Sequence, residues 1–338
     1  MYTIAHHTSR LLPSMSFPIF TFDTTADEVA TAFAQQIRGK NVLITGTSMN
    51  GIGFETARVL AKHANLVIIT GYNTERLALS EEALKKEIPE GNIRPLILDL
   101  SSLASVRKAA AEVNAYPEPL HVLIHNAAAP GGKFKLTADN LETQMVIAQI
   151  GPFLLTKLVA PKLLATGSAS HTPRVVYVSS GAHRFVSGFD LDAVAHPDPA
   201  KYTSGGGYSQ AKSANILAAI ELSKRAKGKI HAYSLHPGVI STNINQKEES
   251  KAELIAAGVL GPDGLPNTSG SIKWKTMAQG AATTLVAAFD PRLEAKPGAY
   301  LNDCVESNDK IAPHASDPET AAKLWMVTEE VVGESFSF

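Results

Sequence analysis

The sequence predicts an α/β protein of three layers, with a doubly wound parallel sheet of about seven strands between helices. Three observations point there. Continuous β-rich runs recur along the chain, as strands buried on both faces require. Helical segments separate these runs, and parallel neighbours need such crossover connections. The first run passes straight into a glycine turn and then a helix, the local order of a nucleotide-binding βα unit.

The chain has 338 residues, 44% hydrophobic and 19% charged, enough to bury one large core. Residues 11–20 are apolar but interrupted by Pro13 and Pro18, too short for a bilayer span or a clean signal-peptide core, and are expected to form a surface arm. Asp23, Thr24, Thr25 and Glu28 supply helix-starting chemistry, and Val29, Phe33 and Ile37 share one helical face, so a packed helix precedes the first strand. Residues 1–38 are therefore an arm and helix, and 39–338 a single domain. Strands are expected at 41–45, 66–70, 95–98, 121–124, 174–178, 230–235 and 299–301. After the first, the helix carries Ile52, Thr56, Val59 and Leu60 on one face. Residues 240–273 hold Gly258, Gly261, Pro262, Gly264, Pro266 and Gly270; so long an irregular stretch serves as a lid or binding element rather than a plain connection.

The charges nearly cancel, 31 Lys+Arg against 32 Asp+Glu, so no global field favours nucleic acid or an anionic membrane surface; a small molecule fits better. No run approaches the roughly 18 apolar residues of a membrane helix. Cys304 stands alone, which excludes an internal disulfide framework, and a cytosolic location is expected. The 11 histidines show no paired ligand spacing, so no metal is expected.

In the turn, Gly46 can take backbone angles closed to other residues, Gly51 clears space for a phosphate, and Gly53 lets helix and strand approach. The helix N-terminus offers amide donors to a pyrophosphate. A tight βα connection with no ligand is the alternative. Asp99 either accepts from an adenine amino group or caps the helix after it. Ser179 and Ser180 end the fifth strand, where ligands of open α/β sheets bind; a hydroxyl there holds a substrate oxygen or merely forms a turn. Tyr208 and Lys212, four apart, share a helix face, so an ammonium can sit beneath a phenol and ease its ionisation. One such pair among 8 tyrosines is near what lysine frequency alone supplies, and its weight comes from its surroundings.

Taken in order, Gly51-Ile52-Gly53, Asn126-Ala127 after the fourth strand, Ser180 after the fifth, Tyr208 with Lys212, and His236-Pro237-Gly238-Val239 after the sixth resemble the short-chain dehydrogenase/reductase family. The resemblance covers about residues 38–335, and segments 98–107 and 150–156 are similar to its retinol-dehydrogenase-like and fungal carbonyl-reductase branches. It implies a Rossmann-type sheet and a carbonyl reductase or alcohol dehydrogenase, with a small-molecule carbonyl or alcohol as partner; a homo-oligomer is compatible with it. Tyr208 would be the general acid in carbonyl reduction or the base in alcohol oxidation, Lys212 would lower its pKa and bind the nicotinamide ribose, and Ser180 would position the reacting oxygen. The cofactor would meet Gly46, Thr47, Ser48, Asn50, Gly51 and Ile52 in the turn, and Tyr72 and Asn73 after the second strand. Asp99, Leu100 and Asn126 would follow, with Pro237, Gly238 and Val239 after the sixth strand and Thr242 at the carboxamide.

Three positions depart from the family pattern. Four residues rather than three separate Gly46 from Gly51; Ala148, next to Gln149, stands where the family has a catalytic Asn; and the Asn-Asn-Ala-Gly element reads His125-Asn126-Ala127-Ala128. The end of the second strand carries no acid, which favours NADP(H) over NAD(H). Tyr72 replaces the family's phosphate-binding arginine, leaving Arg76 or the hydroxyls of Thr47 and Ser48 to that task. The expected function is an NADP(H)-dependent oxidoreductase of a hydrophobic carbonyl or secondary alcohol, with 240–275 as substrate lid; His183 would face the substrate or be a core residue. The alternatives are a dinucleotide-binding sensor or scaffold impaired in catalysis, and a sugar-nucleotide epimerase or dehydratase, for which the chain after His236 is short.

Overall fold

The computed structural model describes residues 17–338 except 130, 169, 170, 244, 246 and 271; most of the expected N-terminal arm lies outside the described residues. Its sheet contains β1 (Asn41–Ile44), β2 (Leu66–Gly71), β3 (Ile93–Ile97), β4 (Val122–His125), β5 (Arg174–Val178), β6 (His231–His236), β9 (Tyr300–Asn302) and β10 (Val305–Glu306). A separate parallel pair, β7 (Val239–Ile240) and β8 (Trp274–Lys275), lies between them in the chain. The strand order is β3-β2-β1-β4-β5-β6-β9-β10, parallel throughout except for β10. The seven expected strands are the parallel ones. The eighth follows a two-residue turn in which Asp303 and Cys304 both have positive φ, the geometry that lets a hairpin match strand twist. Asp-Cys is not a usual pair for that turn, so it left no local signal.

Side-chain alternation divides the sheet between two cores. Val42, Ile44, Val122, Ile124 and Val176 face helices Ala26–Ala32, Ile52–Ala61 and Met277–Phe289. Leu43, Leu123, Val175 and Tyr177 face Leu103–Ala115, Gly151–Leu164, Ser204–Ala226 and Pro318–Val332. The N-terminal helix belongs to the first core: Val29, Phe33 and Ile37 are fully buried, Phe17 and Phe20 pack their rings on Phe33, and Thr25 and Glu28 form a reciprocal capping box. Arg58 ties it down by pairing with Asp27 (2.6 Å) as well as Glu55 and Glu87. Among the described residues one helical run, Thr143–Leu164, is long and apolar enough to cross a bilayer, but 72% of its most apolar window is buried in the second core. It is a core element.

Neutral histidines, His125 buried and His121 and His236 partly buried, couple this fold to pH. The His121 Nδ1 accepts the Asn41 N–H (3.0 Å) and the His236 Nδ1 accepts the Gly181 N–H (3.0 Å), so protonation would break both bonds. The His125 Nε2 meets the Thr156 hydroxyl at 2.8 Å, and that hydroxyl gives its proton to the Pro152 carbonyl (2.7 Å). Burial pushes His125 down to about 3 and His121 and His236 to about 4. The unfolded chain takes up these protons near pH 6.5 and the folded one only near 3–4. Stability is therefore full above about pH 6.5 and falls toward pH 4, by up to about 1.4 kcal/mol per pH unit for each histidine. A calorimetric Tm that stays flat from pH 7 to 4.5 would contradict this.

Candidate active site

The strand order reverses direction around β1 and β4, and the crevice beyond their carboxyl ends is where open α/β sheets bind ligands. The glycine turn fills one side of it. Gly46 has φ +71°, and a Cβ there would lie 2.8 Å from the Ala127 Cα. A Cβ on Gly53 would lie 2.4 Å from both the Gly46 carbonyl oxygen and the Asn126 Nδ2. The turn is held from β4: the Asn126 side chain donates to the Thr45 and Gly46 carbonyls (3.0 and 2.9 Å), and its own N–H donates to the Thr45 hydroxyl. It is also held from β2, where the Thr70 hydroxyl accepts the Gly46 N–H (3.1 Å). Neither partner is near in sequence, and Thr70 escaped the sequence analysis for that reason. The inserted fourth residue is absorbed by Asn50 in the left-handed region (φ +58°), after which Gly51 caps helix Ile52–Ala61.

One cavity of about 1560 Å³ runs from this turn to the ends of β5 and β6. Every residue expected at the site lines it except Thr47 and Asn73. Thr47 is fully buried and spends both its N–H and its hydroxyl proton on the Thr70 carbonyl, leaving no donor for a phosphate. The Asn73 side chain accepts the Arg76 N–H and caps helix Thr74–Glu87. Asp99 accepts the Ser101 N–H and hydroxyl through Oδ1 (2.9 and 2.6 Å), while Ser102 caps the following helix; of the two roles open to Asp99, capping is taken by another residue. Tyr72 is 62% exposed, and Arg76 lines the same end of the cavity with no ion pair among the described residues.

At the other end stand Ser180, Tyr208 and Lys212. Ser180 leaves β5 and caps a short 3-10 turn, accepting the Ala182 N–H (3.2 Å). Helix Ser204–Ala226, capped by Thr203, presents Tyr208 and Lys212 on one face, with the Lys212 Nζ 5.6 Å from the phenol ring centroid. Burial pushes the Tyr208 phenol up, and a bond to Ser180 pulls it partly back. The Lys212 ammonium donates to the Val178 carbonyl at 2.8 Å and approaches the Asn215 Oδ1 at 3.5 Å. Burial alone lowers Lys212, to about 8. Ser179, adjacent to Ser180, turns inward and donates to the Lys212 carbonyl (2.6 Å). His183 is fully buried, bonded through Nδ1 to the Ser180 carbonyl (2.7 Å) and packed edge-on to Tyr300; it is a core residue and does not line the cavity.

Residues 240–273 leave and return through the β7–β8 pair, where Val239 lies beside Trp274 and Ile240 beside Lys275. Between them is helix Glu248–Ala256, and Lys247, Glu253, Leu254 and Val259 line the cavity opposite Phe134 and Tyr202, whose rings meet at 5.3 Å. The Thr242 N–H and hydroxyl both bond the Asn245 Oδ1, and the Asn243 side chain donates to the Met49 carbonyl (2.6 Å), so the start of this stretch is tied to the glycine turn.

The chain is similar to known proteins over most of its length. The sequence model of the family "short chain dehydrogenase" matches residues 40–190. A WW domain-containing oxidoreductase of Danio rerio is 35% identical over 308 residues, covering 89% of this chain and 70% of that one. Short-chain dehydrogenase/reductase prx1 of Penicillium rubens is 35% identical over 300 residues (86% and 84%), and short-chain dehydrogenase TIC 32 B of Brassica napus, described as chloroplastic, is 34% identical over 289 residues (84% and 85%). Among solved structures, an uncharacterized protein of Mycobacterium paratuberculosis aligns with TM-score 0.65 at 26% identity over 90% of this chain and 98% of that one.

Proposed function

Because the chain belongs to the short-chain dehydrogenase/reductase family, we propose that it is an NADP(H)-dependent oxidoreductase acting on a carbonyl or secondary alcohol of a hydrophobic small molecule. One observation carries the proposal: the Ser180 hydroxyl, the Tyr208 phenol and the Lys212 ammonium converge on one end of a cavity whose other end is the glycine turn. The residues present fit a dinucleotide, since the turn packs so closely on Ala127 and Asn126 that a Cβ at Gly46 or Gly53 would displace it, and helix Ile52–Ala61 directs its first amides there. When bound, the nicotinamide supplies the hydride. Reduction makes an alkoxide of the substrate oxygen, and Tyr208, protonated across neutral pH because burial raises it, gives that oxygen its proton. Ser180 donates to the same oxygen and fixes its position. Lys212, with two of its three N–H groups directed to Val178 and Asn215, keeps one for a ribose hydroxyl. Residues 240–275 act as substrate lid, and Phe134, Ile147, Leu254 and Val259 supply its apolar lining.

The preference for NADP(H) rests on Arg76 and on the absence of an acid at the end of β2. Arg76→Ala is expected to weaken NADPH binding about 10- to 100-fold, the worth of a charge-assisted bond, and to leave NADH binding nearly unchanged. Fluorescence titration of both nucleotides reads this directly. The same preparation, assayed against a chemically diverse carbonyl panel, tests the enzyme class. Tight NADPH binding with no turnover of any carbonyl would instead favour the dinucleotide-binding sensor, a reading that Ala148 motivates.

A further inference from the structure

The catalytic helix carries an amide whose donor none of the preceding roles uses. Residues 146–150 form a π-turn at the head of helix Gly151–Leu164, a distortion that loosens carbonyls from the helical ladder. The carbonyl of Ala148 would normally accept from the N–H of residue 152, but that residue is Pro152 and has none. Asn215, three residues beyond Lys212 and 3% exposed, supplies a donor: its Nδ2 lies 2.6 Å from the Ala148 oxygen. Its Oδ1 is 3.5 Å from the Lys212 Nζ. The amide orientation is fixed by chemistry, since a carbonyl only accepts and an ammonium only donates.

We infer that Asn215 is a positioning residue for this reaction, anchored on the Ala148 carbonyl and holding the Lys212 ammonium beneath the nicotinamide ribose site. The inference rests on the reaction proposed above. A side chain from helix Ser204–Ala226 thus reaches the turn where the family pattern's Asn is absent, and Pro152 keeps the Ala148 carbonyl available to it. Lys212 faces no carboxylate among the described residues. Around it are the Tyr208 ring on its own helix and the Val178 carbonyl at the end of β5, no charged neighbour shifts it, and the π-turn contributes no titratable group. With burial as the sole cause of its lowered pKa, the loss of one neutral acceptor acts directly on the charged form.

The test follows the Lys212 side chain itself. In full-length protein labelled with carbon-13 lysine, its Cε resonance, assigned by its disappearance in Lys212→Met, is titrated in wild type, Asn215→Leu and Asn215→Ser. Asn215→Leu keeps the volume and removes both bonds; the midpoint is expected to fall by about one unit from its wild-type value near 8, with Asn215→Ser between the two. The pH profile of kcat should move in step, while KM for the carbonyl stays within about twofold. A lower Tm with an unchanged Lys212 midpoint would overturn the inference and leave Asn215 a packing residue. If Asn215→Leu does not fold, Asn215→Ser carries the same comparison, and an unshifted midpoint there overturns it equally. A shifted midpoint in a protein that reduces no carbonyl would support the positioning role while the proposed reaction failed, so the two are separable.

Discussion

Replacing Tyr208 by phenylalanine is expected to lower kcat for carbonyl reduction by about 10²- to 10⁴-fold, the usual worth of a positioned general acid, with NADPH affinity changed by no more than about threefold. The ring stays in place over the Lys212 stem, and only the hydroxyl that protonates the substrate oxygen is lost. The contrast between turnover and binding is the diagnostic, because a misfolded variant would lose both. Wild-type reduction should be level through neutral pH and begin to decline near pH 8, where Lys212 loses its proton, while burial raises the phenol and keeps it protonated beyond that point. Undiminished turnover in the variant would remove Tyr208 from the mechanism.

Gly53→Ala is expected to cost about 1–3 kcal/mol of stability and to weaken NADPH binding about 100-fold or more. The added Cβ would sit 2.4 Å from the Gly46 carbonyl and from the Asn126 amide, so the helix start or the turn must move. Either displacement takes backbone donors away from a phosphate, and each charge-assisted bond is worth about 1.5–3 kcal/mol. Gly205→Ala is the matched control: a Cβ there meets nothing within 4 Å, so it should be neutral or slightly stabilising in its helix. Thermal melts and NADPH titrations of both variants decide the matter. Equal behaviour of the two would show that the close approach at Gly53 is not what shapes the cofactor turn.

The parallel sheet and its site end were legible because their signals are local or periodic. Runs such as Val42-Leu43-Ile44 announce strands covered on both faces, and the structure divides them between two cores. Strand, Gly46, Gly51 and helix follow one another without interruption, so the cofactor turn could be placed from spacing. The short hairpin at Asp303-Cys304 lacked its usual residues and was invisible. The stretch 240–273 offered glycines and prolines, yet holds helix Glu248–Ala256, and its ends are fixed by two-residue pairing across distant positions.

The sequence by itself determined the order of the strands along the chain, the glycine turn, and the one-face placement of Tyr208 and Lys212, since each depends on neighbours within a few residues. Only the tertiary structure decided where the polar atoms spend their bonds. Thr47, expected at a phosphate, gives its hydroxyl to Thr70; Asn126 clamps the turn across β4; and the Lys212 ammonium bonds Val178 and approaches Asn215. A buried donor must find an acceptor, and which one it finds depends on strands and helices brought together from far along the chain. Ala148 shows the difference most plainly. In the sequence it is a missing side chain, and in the fold it is a carbonyl that Pro152 cannot serve and Asn215 does.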